Sequence, residues 1–492
     1  MTVADLSEVS GVSDPRRLAE AVLLPGFDGT TAPDWVRRRL AEGLGGVILF
    51  GRNVVDDEQV AALTSALRSE RDDVVVGIDE EGGDVTRLDV GKGSFVPGPL
   101  ALGAAGDPEL TASVAAALGE RLAACGVTVN LAPCADLTLA AEDPGIGVRA
   151  FGSDPAAASP HVAAFVTGMQ KYGVAACAKH FPGHGAATED SHLSLPVLPR
   201  TAAELREVEL VPFAAAIEAG VRTVMSGHLV VREWGDEPAT FNRTALVDVL
   251  RGELGFTGTV ITDALEMGAI SGAYGRHDGI GEASVRALLG GADALCLGGA
   301  PFDAETLDRT AEAIVAAVAS GRLSLERLAD AAVRTASLGT APAPATVQPV
   351  DYSLGLSAAR AALRVTGKPR LKGRTLVVDV QTEPGIAAGP MPWGLGAHLA
   401  ELVPGTRTLS VSPDDVSTVV AEASSVESVV VVTREAHRHP AVREFLAGLS
   451  TVDYIRVETG VPGPETGAGP RIDTFSGSYV SLRAAAEYLA RS

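Results

Sequence analysis

The sequence predicts a (β/α)8 TIM barrel followed by a smaller α/β sandwich domain, and three observations carry that prediction. Eight short apolar runs alternate with amphipathic helical stretches between residue 20 and about residue 300, the length and rhythm of such a barrel. The runs are continuous rather than alternating, which suits strands buried on both faces of a parallel sheet. Polar side chains gather where the runs end: Arg52-Asn53, Asp79-Glu80-Glu81, Asp136, Lys179-His180, His228 and Asp263. In barrels of this kind chemistry is assembled at the C-terminal mouth, from several strand ends.

In chain order the expected strands are AVLLPGF (21–27), GGVILF (45–50), VVVGID (74–79), VTVNLAP (127–133), VAACAK (174–179), RTVMSGH (222–228), GTVITD (258–263) and ADALCLGG (292–299). Between them, segments such as DEQVAALTSALRSE and PELTASVAAALGERLAACG repeat apolar residues at helical spacing. An open doubly wound sheet is the competing arrangement, but the GxGxxG turn of a dinucleotide site is missing after the first strand. An Asp after a strand often caps the next helix, so each polar strand end has an ordinary structural reading. Six of them together point to a site.

GTAPAPATVQPV (339–350), rich in Pro, Ala and Thr, reads as a linker. The expected division is a barrel over 1–338, a linker over 339–352 and an α/β domain over 353–492. In the latter, RTLVVDV (374–380), residues 428–433 and YIRVETG (454–460) read as strands among helices. Glu435, His437 and His439 form its nearest approach to an ionisable cluster, and read as a solvated helix start.

A formal charge of -22 repels nucleic acid and anionic membranes, so neither is an expected partner, and an anionic substrate would need local Arg or Lys. No apolar run reaches membrane-spanning length. The opening MTVADLSEVSGVSDPRRLAEAV has no basic start followed by an apolar stretch, so a cytoplasmic location is expected. Cys125, Cys134, Cys177 and Cys296 lie singly among small apolar residues, as buried free thiols of a reducing compartment do. Oligomeric state, monomer or homodimer, stays open at this level.

One stretch concentrates the chemistry: 179-KHFPGHGAATEDSH-192 holds three of the nine histidines among Pro and Gly turns. His180 and His184 have the i, i+4 spacing of a zinc-binding helix, but Pro182, Gly183 and Gly185 oppose the helix and the glutamate of HExxH is absent. No metal and no cofactor are expected. Asp190 and His192, separated by one serine, can instead lie on one side of a turning backbone. A carboxylate beside an imidazole fixes its tautomer and favours its protonated form, the makings of a group that gives and takes a proton near neutral pH. Glycines on either side of His184 would let the loop swing over a substrate. Asp263, ending an apolar strand, is the candidate nucleophile, able to form a covalent intermediate at a sugar's anomeric carbon.

These residues resemble the glycoside hydrolase family 3 β-N-acetylglucosaminidases, in particular the bacterial cytoplasmic type of peptidoglycan recycling. KHFPGHGAATEDSHLSLP matches that group's KH(F/I)PGHGxxxxDSH signature at every fixed position, supported by GGVILFGRN (45–53), GIDEEGGDVTRL (77–88), GIGVRAFGSDP (145–155) and ITDALEMGAI (261–270). The resemblance covers residues 20 to about 340 and is loose beyond. It implies a retaining exo-acting enzyme with Asp263 as nucleophile, His192 as acid/base and Asp190 orienting it. Sugar-binding roles fall to Asp79, Arg87, Arg149, Lys179 and His180; His184 and Thr188 are expected to shape the loop. Two departures stand out: the family's Asp-Gln-Glu-Gly-Gly-Arg reads here Asp79-Glu80-Glu81-Gly82-Gly83-Asp84, and NPVIGxRSFG appears as DPGIGVRAFG. The first makes that strand end more acidic and counts against an anionic muramic aglycone. The rival readings are a sugar phosphorylase, a β-glucosidase or β-xylosidase, a non-catalytic sugar-binding protein and a metal-dependent hydrolase.

Overall fold

All eight expected strands are present in the computed structural model of the chain. They are β1 (Leu23–Pro25), β2 (Gly46–Leu49), β3 (Val75–Ile78), β4 (Val129–Asn130), β5 (Ala175–Phe181), β6 (Thr223–Ser226), β7 (Thr259–Thr262) and β8 (Leu295–Leu297). The structure describes residues 14–491 apart from 141–144, 275–278, 300–301, 344, 384, 390, 393 and 464–468. The first 13 residues, and Asp143-Pro144 of the DPGIG segment, lie outside the described residues.

Strands β2 to β7 pair in parallel in sequence order, and β1 pairs in parallel with β8. Ile261 of β7 bridges Ala294 just before β8, and the Gly45 N–H donates to Glu20 O at the approach of β2 to β1, so the sheet curls into a barrel. Its interior is a single apolar plug to which every strand contributes. Leu24, Ile48, Val75, Val129, Ala175, Cys177, Met225, Ile261 and Cys296 all meet there, joined by Ala264, Met267 and Ala294. Small Ala and Cys side chains beside Leu, Ile and Met fill the tapering space, and each fully buried large side chain contributes about 1.5–3 kcal/mol. All four cysteines are buried, and none forms a disulfide. Helices between strands start where the sequence supplies caps: Asp56 accepts from Gln59 N–H ahead of Asp57–Arg68, and Asp154 accepts from Ala156 N–H ahead of Pro155–Gln170.

Contacts divide the chain differently from the contiguous cut at the linker. One unit holds Met1–Glu80, Thr111–Leu137 and Asp154–Pro349; the second holds Glu81–Leu110, Thr138–Ser153 and Val350–Ser492. The segments after β3 and β4 thus belong to the second unit, because their polar groups bond there: Arg87 donates to Ala387 O, and Asp84 accepts from Ser476 Oγ–H and Gly477 N–H. A boundary read from linker composition does not see such partnerships.

The second unit is built on a six-stranded sheet in the order β11-β10-β12-β13-β14-β9. Its strands are β9 (Arg364–Thr366), β10 (Thr375–Val380), β11 (Arg407–Val411), β12 (Ser428–Thr433), β13 (Ile455–Glu458) and β14 (Arg471–Asp473). Five are parallel and β9 runs antiparallel to β14. Alternation along β10 and β12 feeds two cores. Leu376, Val378, Val429 and Val431 pack with Phe445 on one face, while Val377, Val430 and Val432 pack with Leu399 and Leu482 on the other. The expected α/β sandwich is therefore present. Strands β9 and β11, at the sheet edges, and short β14 escaped the sequence reading because none carries a continuous apolar run.

The departure at Asp84 has its explanation inside this unit. Arg434, just past β12, pairs with the nearly buried Asp84 carboxylate. The acidic replacement is thus matched by a guanidinium. Glu435, expected to be solvated, is buried instead, accepting from Arg438 and donating its N–H to Glu458 at 2.6 Å. Removing one member of a buried pair leaves an uncompensated charge, which costs about 3–5 kcal/mol. Arg434→Leu is therefore expected to lower the unfolding midpoint clearly in thermal and denaturant melts. The double substitution Asp84→Asn with Arg434→Leu should recover most of that loss; equal melts for the two would contradict this role.

Candidate functional site

Strand β5 runs two residues further than its apolar pattern suggested, to Phe181, so Lys179 and His180 stand on the strand itself. The expected strand ended at Lys179, and the turns of the 179–192 stretch start only at Pro182. The buried Lys179 Nζ donates to Asp79 Oδ1 at 2.7 Å, joining the ends of β5 and β3. This salt bridge fixes an ammonium and a carboxylate side by side, a pair of donor and acceptor suited to adjacent sugar hydroxyls.

Asp136, beyond β4, is a hub that the sequence reading flagged as a strand end but left without a role. Its buried carboxylate accepts from His180 Nδ1 at 2.7 Å and from the backbone N–H of His184 at 2.7 Å. It also accepts from His180 N–H at 3.1 Å and from Cys134 Sγ at 3.2 Å. Burial alone would raise its pKa, but His180 foremost holds it below the usual carboxylate range. An ionised carboxylate only accepts, so His180 Nδ1 carries a proton. Cys134, Asp136 and His180 place three potential metal-ligand atoms within 4.8 Å of one another. Both Asp136 oxygens are already occupied by N–H donors, which fits a hydrogen-bonded hub better than a cation cage.

The glycines of the loop are closely packed, and Gly183 also takes a φ of +118° that other residues rarely adopt. A Cβ on Gly185 would lie 1.5 Å from Leu137 O, and one on Gly183 2.7 Å from Glu209 Cβ. His184 donates its backbone N–H to Asp136, and its ring lies edge-on to that of His180. Further on, Leu193 and Ser194 N–H groups close a turn on Asp190 O. Inside that turn His192 Nδ1 lies 2.6 Å from Asp190 Oδ1, which also accepts the His192 N–H at 2.9 Å. Burial would raise the Asp190 pKa, but the His192 hydrogen bonds keep it low. Nδ1 is thereby committed, and Nε2 is left for a reacting oxygen.

Asp263, one residue past β7, has its carboxylate partly exposed and tied to the following N–H, Ala264, at 2.8 Å. The surrounding protein would raise its pKa, yet the imidazoles of His180, His228 and His192 outweigh that and bring it to about 2. It is an anion near neutral pH. His228, the second residue that sequence reasoning left without a role, is fully buried. Burial lowers its pKa, and the neutral ring donates Nε2–H to Ala264 O at 3.0 Å, steadying the backbone beside Asp263. Both carried a signal like that of Asp79 and Asp263, a polar side chain within a few residues of an apolar run's end. Their partners, distant in sequence, were not legible.

Of the expected site residues, Asp79, Lys179, His180, Asp190, His192 and Asp263 fall in the first unit, the imidazoles of His180 and His192 close enough to act electrostatically on Asp263. Arg87 and Arg149 fall in the second. There Arg149 makes a two-pronged pair with Glu81, at 3.0 and 2.8 Å, and also reaches Gly145 O. Glu81, one of the acids after β3, thus has a structural partner.

A parallel barrel with an ionised aspartate at a strand end and a carboxylate-oriented imidazole nearby has the layout of a glycoside-cleaving enzyme. Residues 28–338 match the Glycosyl hydrolase family 3 N terminal domain. A beta-hexosaminidase of Thiobacillus denitrificans is 40% identical over 255 residues, covering 50% of this chain and 70% of that protein. One of Stenotrophomonas maltophilia is 38% identical over 265 residues, covering 52% and 77%. The solved structure of a glycoside hydrolase family 3 beta-N-acetylglucosaminidase from Paenibacillus sp. FPU-7 superposes with a TM-score of 0.87 at 30% identity, over 97% of this chain and 96% of that one. The chain belongs to glycoside hydrolase family 3.

Proposed function

We propose that this chain is a retaining exo-β-N-acetylglucosaminidase that removes terminal β-linked GlcNAc from peptidoglycan fragments or chitooligosaccharides in the cytoplasm. The observation that carries this reading is the Asp190–His192 pair at 2.6 Å within electrostatic reach of the ionised Asp263. Asp263 Oδ attacks the anomeric carbon as the bond to the leaving oxygen breaks, and that oxygen takes the proton of His192 Nε2. Water then attacks the same carbon, passes a proton to Nε2 and frees Asp263. Asp190, ionised throughout, stabilises the imidazolium form that alternates with the neutral one. Asp79, Lys179 and His180 would hold the sugar ring, with Arg87 and Arg149 assigned the same task by resemblance. Four cysteines outside any disulfide support a reducing compartment.

An imidazole in place of a carboxylate acid/base does not repel an anionic acceptor, so transfer to phosphate is the outcome to separate from hydrolysis. GlcNAc-containing muropeptides, chitobiose and aryl β-GlcNAc are incubated with the protein, with and without inorganic phosphate, and the products followed by NMR. The expected result is free GlcNAc released first as the β-anomer, unchanged by phosphate. Sugar 1-phosphate would make the enzyme a phosphorylase, and α-anomer as first product would contradict retention.

A further inference from the structure

The turn that carries the acid/base pair is clasped onto the segment that carries the nucleophile. Gly268 N–H donates to His192 O at 2.9 Å, and Ala269 N–H donates to Ser191 O at 3.1 Å. Between Asp263 and Gly268 the chain is rigidly held. Leu265 N–H bonds Cys296 O beside β8, Met267 N–H bonds Ala264 O, and both Ala264 and Met267 sit in the barrel plug. On the other side of the clasp, Asp190 and His192 share one closed turn through the Leu193 and Ser194 N–H groups. A Cβ on Gly268 would lie 2.6 Å from both His192 O and Leu193 O, closer than real atoms approach, while the backbone conformation there is one any residue adopts. The glycine is needed for room, not for its dihedral freedom.

We infer that Gly268 is a positioning residue that sets the reach of His192 toward the reacting oxygen through this backbone contact. This rests on the acid/base reading of His192 given above. A methyl group at 268 would push the 192–193 carbonyls outward by roughly 0.5–1 Å, and a misplacement of that size costs on the order of 10²-fold in a positioned proton transfer. The nucleophile, held by β7 and β8, stays in place.

The test is Gly268→Ala, with kcat/KM measured on β-GlcNAc glycosides of graded leaving-group ability. Loss of about 10–100-fold is expected on chitobiose or an alkyl glycoside, against about twofold or less on a dinitrophenyl glycoside. In a His192→Ala background the same substitution should cost nothing further, since it acts through the missing ring. Ala269→Pro removes the other N–H of the clasp in the first turn of helix Gly268–Tyr274, where that N–H has no partner within the helix, and should reproduce the leaving-group dependence in part should Gly268→Ala fail to fold. Equal loss on all leaving groups, or an additive loss in the His192→Ala background, would overturn the inference while leaving His192 as the acid/base. Absence of any leaving-group dependence in His192→Ala itself would overturn the underlying reading.

Discussion

Asp263→Asn is expected to abolish turnover, by roughly 10⁴–10⁶-fold in kcat on an aryl β-GlcNAc, the scale seen when a covalent nucleophile is removed. The substitution is nearly isosteric, and the amide can still accept the Ala264 N–H that the carboxylate now accepts at 2.8 Å. Loss of activity would therefore report chemistry rather than folding. A fluorinated GlcNAc analogue that stalls the second step should label Asp263 in the native chain, read by peptide mapping, and should label nothing in the variant. Label on another side chain, or retained turnover, would remove Asp263 from the mechanism. The pH behaviour gives an independent check. With a pKa of about 2 in the folded chain, against about 3.9 for an ordinary aspartate, Asp263 is charged well below neutrality. An acid limb of kcat/KM near pH 4 or above must then come from another group. The depressed value also means that the ionised form adds stability at pH values above the unfolded pKa, and that this contribution fades as pH falls from about 4 toward 2. Asp263→Asn should flatten that part of the stability profile.

The barrel was legible because its strands are buried on both faces, which forces continuous apolar runs such as VVVGID and GTVITD that recur between amphipathic helical stretches. The same physics hid the edge strands of the second sheet: RTLSV at 407–411 is mostly exposed, so nothing in it had to be apolar. Within the site, Asp190 and His192 could be paired from the sequence because they are two residues apart, and the structure closes them in one turn. Asp136 could not be joined to His180, 44 residues away, since long-range pairing leaves no local periodicity. The glycines show a subtler limit. Gly183, Gly185 and Gly268 look alike in sequence, and flexibility is the ready explanation; the structure gives each a neighbour within contact distance of a missing Cβ. The acidic Glu80-Glu81-Gly82-Gly83-Asp84 segment likewise looked like a change in substrate preference. In the fold Glu81 pairs with Arg149 and Asp84 with Arg434, so those two charges speak to architecture before they speak to the aglycone.

His192→Ala is expected to divide substrates by their leaving groups. Protonation of the departing oxygen matters most when that oxygen is a strong base, so kcat/KM on chitobiose should fall by about 10²–10⁴-fold, the usual worth of a positioned general acid. A dinitrophenyl glycoside leaves without a proton, and its kcat/KM, which reports the first chemical step, should stay within a few-fold of the native value. Its kcat should nevertheless drop, because the glycosyl-enzyme now waits for water with no base to activate it. Two consequences follow from that stalled state. A burst of dinitrophenolate should appear before the steady state, and azide, which needs no deprotonation, should restore kcat by releasing a β-glycosyl azide. Asp190→Asn should give the same pattern in weaker form: the carboxylamide cannot compel Nδ1 to carry the proton, since an amide offers donor and acceptor alike. The geometry makes the two variants distinguishable from simple unfolding, because the Asp190 backbone carbonyl, not its side chain, closes the turn with Leu193 and Ser194. If His192→Ala lowered kcat/KM equally for chitobiose and the dinitrophenyl glycoside, the imidazole would be binding or shaping the site rather than delivering a proton, and the acid would have to be sought elsewhere.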